Sequence, residues 1–256
     1  MKRLLIGDRR ESLLSTLEVI LKHLGYRLLV SSQSEQLKAF LQESSPDLIV
    51  VGTELLADDP ALAEAVHQKG KETSCPIVLL GSQGPAALAD IPHEVLDIPL
   101  DIFALFELIQ KHLEKIPRKN LRLAIKLPGL LCHGEACYLA EVLSLSTQGL
   151  FMKTGFLMKE GDMLKVVFPL LGMNKELEIK GRVLYFVQPE PENNYRQGVG
   201  VEFHQMEKET LQLLQSFIET RFLGDVTSNP WSSRDLGDNH LKNRSQEITL
   251  KVAGIL

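Results

Sequence analysis

Residues Arg118–Leu131 read RKNLRLAIKLPGLL, and the chain changes character inside them. Before this stretch, short apolar runs alternate with helical patterns. After it, apolar runs are bounded by Gly, Asn and Pro turns, the mark of successive strands. Arg118 and Arg122 stand four apart at the change. Their spacing fits the exposed face of a helix. It fits equally a short clamp on an anionic ligand, because each guanidinium can fork onto phosphate or a guanine edge.

A chain of 256 residues with 44% hydrophobic content can fill two modest cores. The sequence is therefore divided into a first domain over 1–115, a second over 116–223 and a flexible tail over 224–256. A formal net charge of −5 supplies no global positive field, which excludes a general nucleic-acid binder. The opening MKRLLIGDRRE has an apolar run too short for a signal-peptide core, and no later segment approaches a membrane span, so the expected location is the cytoplasm. The three cysteines, Cys75, Cys132 and Cys137, are too few and too irregular for a secreted disulfide framework and agree with a reducing compartment. Cys132 and Cys137 flank HGEA, but a zinc site would need a second ligand pair. The expectation is two strand residues facing each other across a hairpin turn, and no metal.

Upstream, KRLLIG, ESLLSTLEVILKHLG, YRLLVSS, SEQLKAFLQES and PDLIVVG give a βαβ rhythm. A helix near PALAEAVHQKG, a strand at CPIVLLG, a less regular GPAALADIP, a strand at EVLDIP and a helix at DIFALFELIQKHLEK continue it. Five strands with their helices predict an α/β flavodoxin-like domain. Order and lengths resemble the receiver domain of bacterial response regulators over residues 2–115. The resemblance implies an aspartate acceptor ending the third strand, an acid pair for Mg²⁺ after the first, a Ser or Thr, and a Lys. Here the acceptor position is Gly52, the acid pair is Asp8 followed by Arg9, Ser82 follows Gly81, and Ile98 stands where the lysine would be, with Pro99 retained. Acceptor, metal acid and lysine are lost together, so the expectation is a pseudo-receiver that acts as a dimerisation or docking surface and not as an enzyme. Asp58 and Asp59, ahead of Pro60, read as helix-capping acids rather than substitute acceptors.

Downstream, LAIKLPGLLCHG and EACYLAEVLSLS predict a hairpin. GLFMKTG, DMLKVVFPL, KELEIKGRVLYFVQ and YRQGVGVEFHQM read as further strands, and KETLQLLQSFIETRFLG as an amphipathic closing helix. A small, mainly β barrel with an appended C-terminal helix is predicted. Over about residues 117–222 the sequence resembles the PilZ domain. The motif RxxxR is present as Arg118 to Arg122, and Ser144-Leu145-Ser146-Thr147-Gln148-Gly149 stands where the family reads (D/N)xSxxG. GVGVEF, Gly198–Phe203, resembles the last barrel strand.

The resemblance implies a receptor for cyclic di-GMP, with Arg118, Arg122, Ser144, Ser146 and Gly149 as ligand-binding residues, no other cofactor, and a protein partner downstream. Forked cations suit the two phosphates and the guanine edges, the serines offer short hydrogen-bonding groups, and Gly149 is expected to take a positive φ. Ser144 departs from the family's Asp or Asn. A hydroxyl reaches at most one of the guanine donors that a carboxylate reaches together, which opens the alternative of an interaction adaptor with a degenerate domain. Lys126, Arg182 and Arg196 read as ordinary barrel-surface charge and His204 as a surface residue. Trp231 and the ending ITLKVAGIL stand out in the polar tail as docking elements or incidental hydrophobes.

Overall fold

The computed structural model describes residues 2–81, 84, 86–193 and 197–227. The tail with Trp231 and ITLKVAGIL, together with Ser82 and Arg196, lies outside the described residues. The chain divides into two compact units, one within residues 2–119 and one within 120–222.

In the first unit the strands are β1 (Arg3–Gly7), β2 (Arg27–Ser31), β3 (Leu48–Gly52), β4 (Ile77–Leu80) and β5 (His93–Leu96). They pair in parallel in the order β2-β1-β3-β4-β5, the flavodoxin-like order. The helices are α1 (Glu11–His23), α2 (Ser34–Glu43), α3 (Thr53–Asp58), α4 (Pro60–Thr73) and α5 (Ile102–Leu113). Buried strands alternate their side chains between two cores. Leu5, Ile49, Val51, Ile77 and Leu79 pack with Leu37, Leu41, Leu62 and Val66 of α2 and α4. Leu4, Ile6, Val50 and Val78 are buried on the other side, toward the apolar faces of α1 and α5. Asp59 caps α4 by accepting from Ala61 N and Leu62 N, with Pro60 next to it, which is the role its sequence position predicts. Asp58 ends α3, a helix absent from the elements expected of the sequence, and so lies at a helix C-terminus rather than capping α4. Between β4 and β5 a single 3-10 turn, Ala86–Leu88, occupies the stretch read as less regular.

The second unit is a closed barrel of β6 (Leu123–His133), β7 (Ala136–Ser146), β8 (Gly149–Lys153), β9 (Met163–Leu170), β10 (Lys175–Val187) and β11 (Gly198–Phe203), in the order β10-β11-β8-β7-β6-β9, followed by α6 (Lys208–Thr227). Closure leaves no free sheet edge. Period-two burial along β9 and β10 fills the interior with Leu164, Val166, Phe168, Leu177, Ile179 and Val183. Leu214, Phe217, Ile218 and Phe222 of α6 are buried as well. Cys132 and Cys137 are register partners across the β6–β7 hairpin, as expected, with Cα atoms 4.0 Å apart. They are joined as a disulfide, which departs from the thiols expected of them: direct opposition in the ladder brings the two sulfurs together. No described helix is long and apolar enough to cross a membrane.

Candidate functional site

Two groups of polar residues have the composition of sites, one in the first unit and one on the barrel, with Arg118 of the first unit preceding the latter in the chain. The first lies at the carboxyl ends of β1 and β3, where ligands of parallel α/β sheets bind. Asp8 is 2% exposed and fully engaged. Its Oδ1 accepts from the Arg10 backbone N–H at 2.9 Å and from Nε at 2.8 Å, and its Oδ2 accepts from Nη2 at 2.7 Å. Donating to the Asp8 carboxylate raises the Arg10 pKa despite the opposing effect of burial. The forked guanidinium therefore occupies both carboxylate oxygens that a cation would need. The cation that neutralises Asp8 is thus Arg10, while the guanidinium of Arg9, the residue in the acid-pair position, pairs with Asp58. Gly52 ends β3 without a side chain, and a Cβ there would fall 2.2 Å from Asp8 Oδ2. Ile98 precedes Pro99 through a cis peptide bond. Among the described residues no group of three or more His, Cys, Asp or Glu is placed to hold a metal ion.

The second cluster lies where the chain enters the barrel. Leu121, just ahead of β6, and Leu123, its first residue, are buried, and Arg122 between them is exposed. Arg118 is exposed too, and its backbone N–H donates to Gln110 Oε1 of α5 at 3.2 Å. Among the described residues neither guanidinium has an ion-pair partner, whereas Arg182 is engaged by Glu202 at 2.9 Å.

Between the two arginines in the chain, Asn120 ties the segment entering β6 to the β7–β8 turn. Its Nδ2 donates to Gln148 Oε1 at 2.8 Å, and its Oδ1 accepts from Thr147 Oγ1 at 3.1 Å. The turn consists of Thr147 and Gln148 between the paired Ser146 and Gly149. Ser146 is buried and its Oγ donates to Gly149 O at 3.0 Å, so this hydroxyl holds the turn. Ser144 is half-buried and pairs with Ala124 on one side and Phe151 on the other, with a register shift in β6 and another in β7 next to it. Such bulges re-aim side chains and recur beside functional sites.

Gly149 has its place for a different reason from the one expected. It is not among the positive-φ residues. A Cβ there would lie 2.3 Å from Val201 O, so the absence of a side chain lets β8 approach β11. Sequence reasoning named Arg118, Arg122, Ser144, Ser146 and Gly149 but missed Asn120, Thr147 and Gln148. The only signal for these was that they are polar residues inside both motifs. Chemically, the barrel carries an exposed guanidinium at Arg122, without an ion-pair partner among the described residues, two positions after the Asn120 that braces the turn, and these groups suit an anionic ligand with a hydrogen-bonding edge.

A profile of the PilZ domain family matches residues 116–220. Among curated proteins, none matches the chain. Among solved structures, the chain is similar to an inhibitor of motility (MotI/DgrA) from Bacillus subtilis, at 16% identity and a TM-score of 0.38, over 43% of this chain and 52% of that one. The chain therefore spans about half the length of that protein. It is also similar to the PilZ domain of YcgR from Escherichia coli with c-di-GMP, at 13% identity and a TM-score of 0.36, over 43% of this chain and 98% of that one. A two-component response regulator from Clostridium difficile is similar at 21% identity and a TM-score of 0.39, over 45% of this chain and 98% of that one.

Proposed function

We propose, from the premise that residues 116–220 are a PilZ domain, that this chain is a cytoplasmic effector that binds cyclic di-GMP there and passes the signal on through protein–protein contacts. The observation that carries the reading is Arg122, exposed at the entry to the barrel and without an ion-pair partner among the described residues, two positions after the Asn120 that braces the serine-bearing turn, with Arg118 four positions before it in the chain. A cyclic dinucleotide presents two phosphates and two guanines, and forked donors answer both. In this reading Ser144 meets the ligand edge, Ser146 and Gly149 hold the turn in shape, and the outputs are those the PilZ resemblance implies: motility, surface polysaccharide or biofilm control. The first unit serves as a docking surface for a protein partner, because Arg10 occupies Asp8 and Gly52 offers no acceptor.

Calorimetric titration of the intact protein with cyclic di-GMP tests this. Micromolar or tighter binding is expected, with loss of the signal in the Arg118→Ala, Arg122→Ala double variant. Unchanged affinity in that variant removes the clamp.

One observation favours a second reading, an adaptor that works without nucleotide: Ser144 stands where the family has Asp or Asn. One lost charge-assisted hydrogen bond costs about 1.5–3 kcal/mol, roughly ten- to a hundredfold in affinity. Ser144→Asp separates the two readings. A gain of that size marks a weakened receptor, and continued silence in both forms marks the adaptor.

A further inference from the structure

We propose that Phe151 and Tyr185 form an aromatic floor beside Ser144 on which one purine of the ligand stacks. This subsite rests on the cyclic dinucleotide reading above and assigns residues outside both motifs.

The inference begins with β11, GVGVEF. Val199 and Val201 are 0% and 2% exposed and point into the barrel, so Gly198 and Gly200 lie on its outer side. That outer strip of bare backbone is covered by rings. A Cβ at Gly200 would fall 2.4 Å from Cε1 and Cζ of Tyr185, and one at Gly198 would fall 2.6 Å from Cζ of Phe151. Each ring therefore rests directly on a glycine. The two rings are nearly parallel, at 19°, with centroids 6.3 Å apart.

Their position relative to the candidate site follows from the register. Tyr185 pairs with Gly200, Gly200 with Phe151, and Phe151 with Ser144. The row runs across four neighbouring strands, each step about 4.8 Å. Ser144 is thus the immediate neighbour of Phe151. A register shift between Val183 and Tyr185 breaks the alternation of β10 and leaves both Leu184 and Tyr185 on the outside. Tyr185 keeps 45% of its surface exposed although it lies against the barrel wall.

A pair of nearly parallel rings packed on glycine backbone, Tyr185 exposed and Phe151 half-buried, next to a hydroxyl and on the same barrel as Arg122, which has no ion-pair partner among the described residues, fits a planar nucleobase. Stacking is indifferent to which base lies on the floor. It supplies affinity, while hydrogen bonds at the edge choose guanine. The floor also offsets part of what Ser144 forgoes relative to a carboxylate.

The test is titration of the intact protein with cyclic di-GMP in four forms: wild type, Tyr185→Leu, Tyr185→Phe and the Arg118→Ala, Arg122→Ala double variant. Loss of the ring in Tyr185→Leu is expected to weaken binding about tenfold or more, while Tyr185→Phe stays close to wild type. In parallel, saturating ligand is expected to move the Tyr185 ring protons of the wild-type protein upfield, a readout that does not depend on the folding of any variant. Binding that is lost in the double arginine variant, unchanged in Tyr185→Leu and without ring-proton shift overturns the floor and leaves the receptor reading intact. A wild-type protein that does not bind overturns both.

Discussion

A Cβ at position 52 would collide with Oδ2 of Asp8 at 2.2 Å, so the phospho-acceptor cannot be restored by one substitution. Gly52→Asp forces a second carboxylate against a buried one whose oxygens Arg10 already holds. Overpacking of this kind costs about 1–3 kcal/mol. The variant is expected to melt lower than wild type and to remain unlabelled by acetyl phosphate, and stable labelling would show that the pocket opens more readily than its packing indicates. Gly149→Ala is the parallel case in the barrel. Its methyl group would meet Val201 O at 2.3 Å, and because that atom is backbone, relief requires β8 and β11 to separate. A loss of about 1–3 kcal/mol in denaturant unfolding is expected, and a neutral result would return Gly149 to the turn-conformation role read from the sequence. The motif residues were legible because each carries local chemistry. The reason for Gly149 was not, since the strand it approaches lies more than fifty residues further along the chain.

At the scale of elements, strands and helices followed from period and punctuation: Asp59 before Pro60 and Asp101 before α5 both cap as side-chain acceptors. Helix α3 escaped because six residues, TELLAD, carry too little periodicity to register. Asn120 escaped for another reason: its partners Gln148 and Thr147 are brought near only once the barrel closes. Tyr26, just after α1, shows how such contacts set pH dependence. Its hydroxyl donates to Glu114 Oε1 at 3.2 Å and accepts from Gln110 Nε2 at 3.3 Å. Burial first, and then the neighbouring Glu114 charge, push its pKa up to about 12. A tyrosine raised in the fold favours folding while it is protonated, so the contribution is whole below its ordinary value near 10 and is lost as pH climbs toward about 12. Tyr26→Phe is therefore expected to cost about 1 kcal/mol at neutral pH and to melt with a shallower decline than wild type across that alkaline window. Parallel melting curves from pH 9 to 12 would show that the hydroxyl carries none of the dependence.

At the scale of the molecule, the change of pattern quoted from the sequence marks the passage between units: the structure places it after Lys119, and Arg118 and Arg122 flank it in the chain. Each unit has its own core. The parallel sheet is closed by its helices, the barrel by its own strands and α6. Units with separate cores fold separately. A fragment of residues 116–227 is therefore expected to fold as the barrel with α6, to unfold in one cooperative transition, and to bind cyclic di-GMP within about threefold of the intact chain, a difference under about 1 kcal/mol. It retains both arginines, Asn120, the β7–β8 turn and the aromatic pair. Cooperative folding with affinity weakened tenfold or more would make the first unit a contributor to the ligand site, and its role would then extend beyond docking a partner. Affinity within that range would place recognition wholly in the barrel and leave the parallel sheet, with Asp8 already held by Arg10, free to meet another protein.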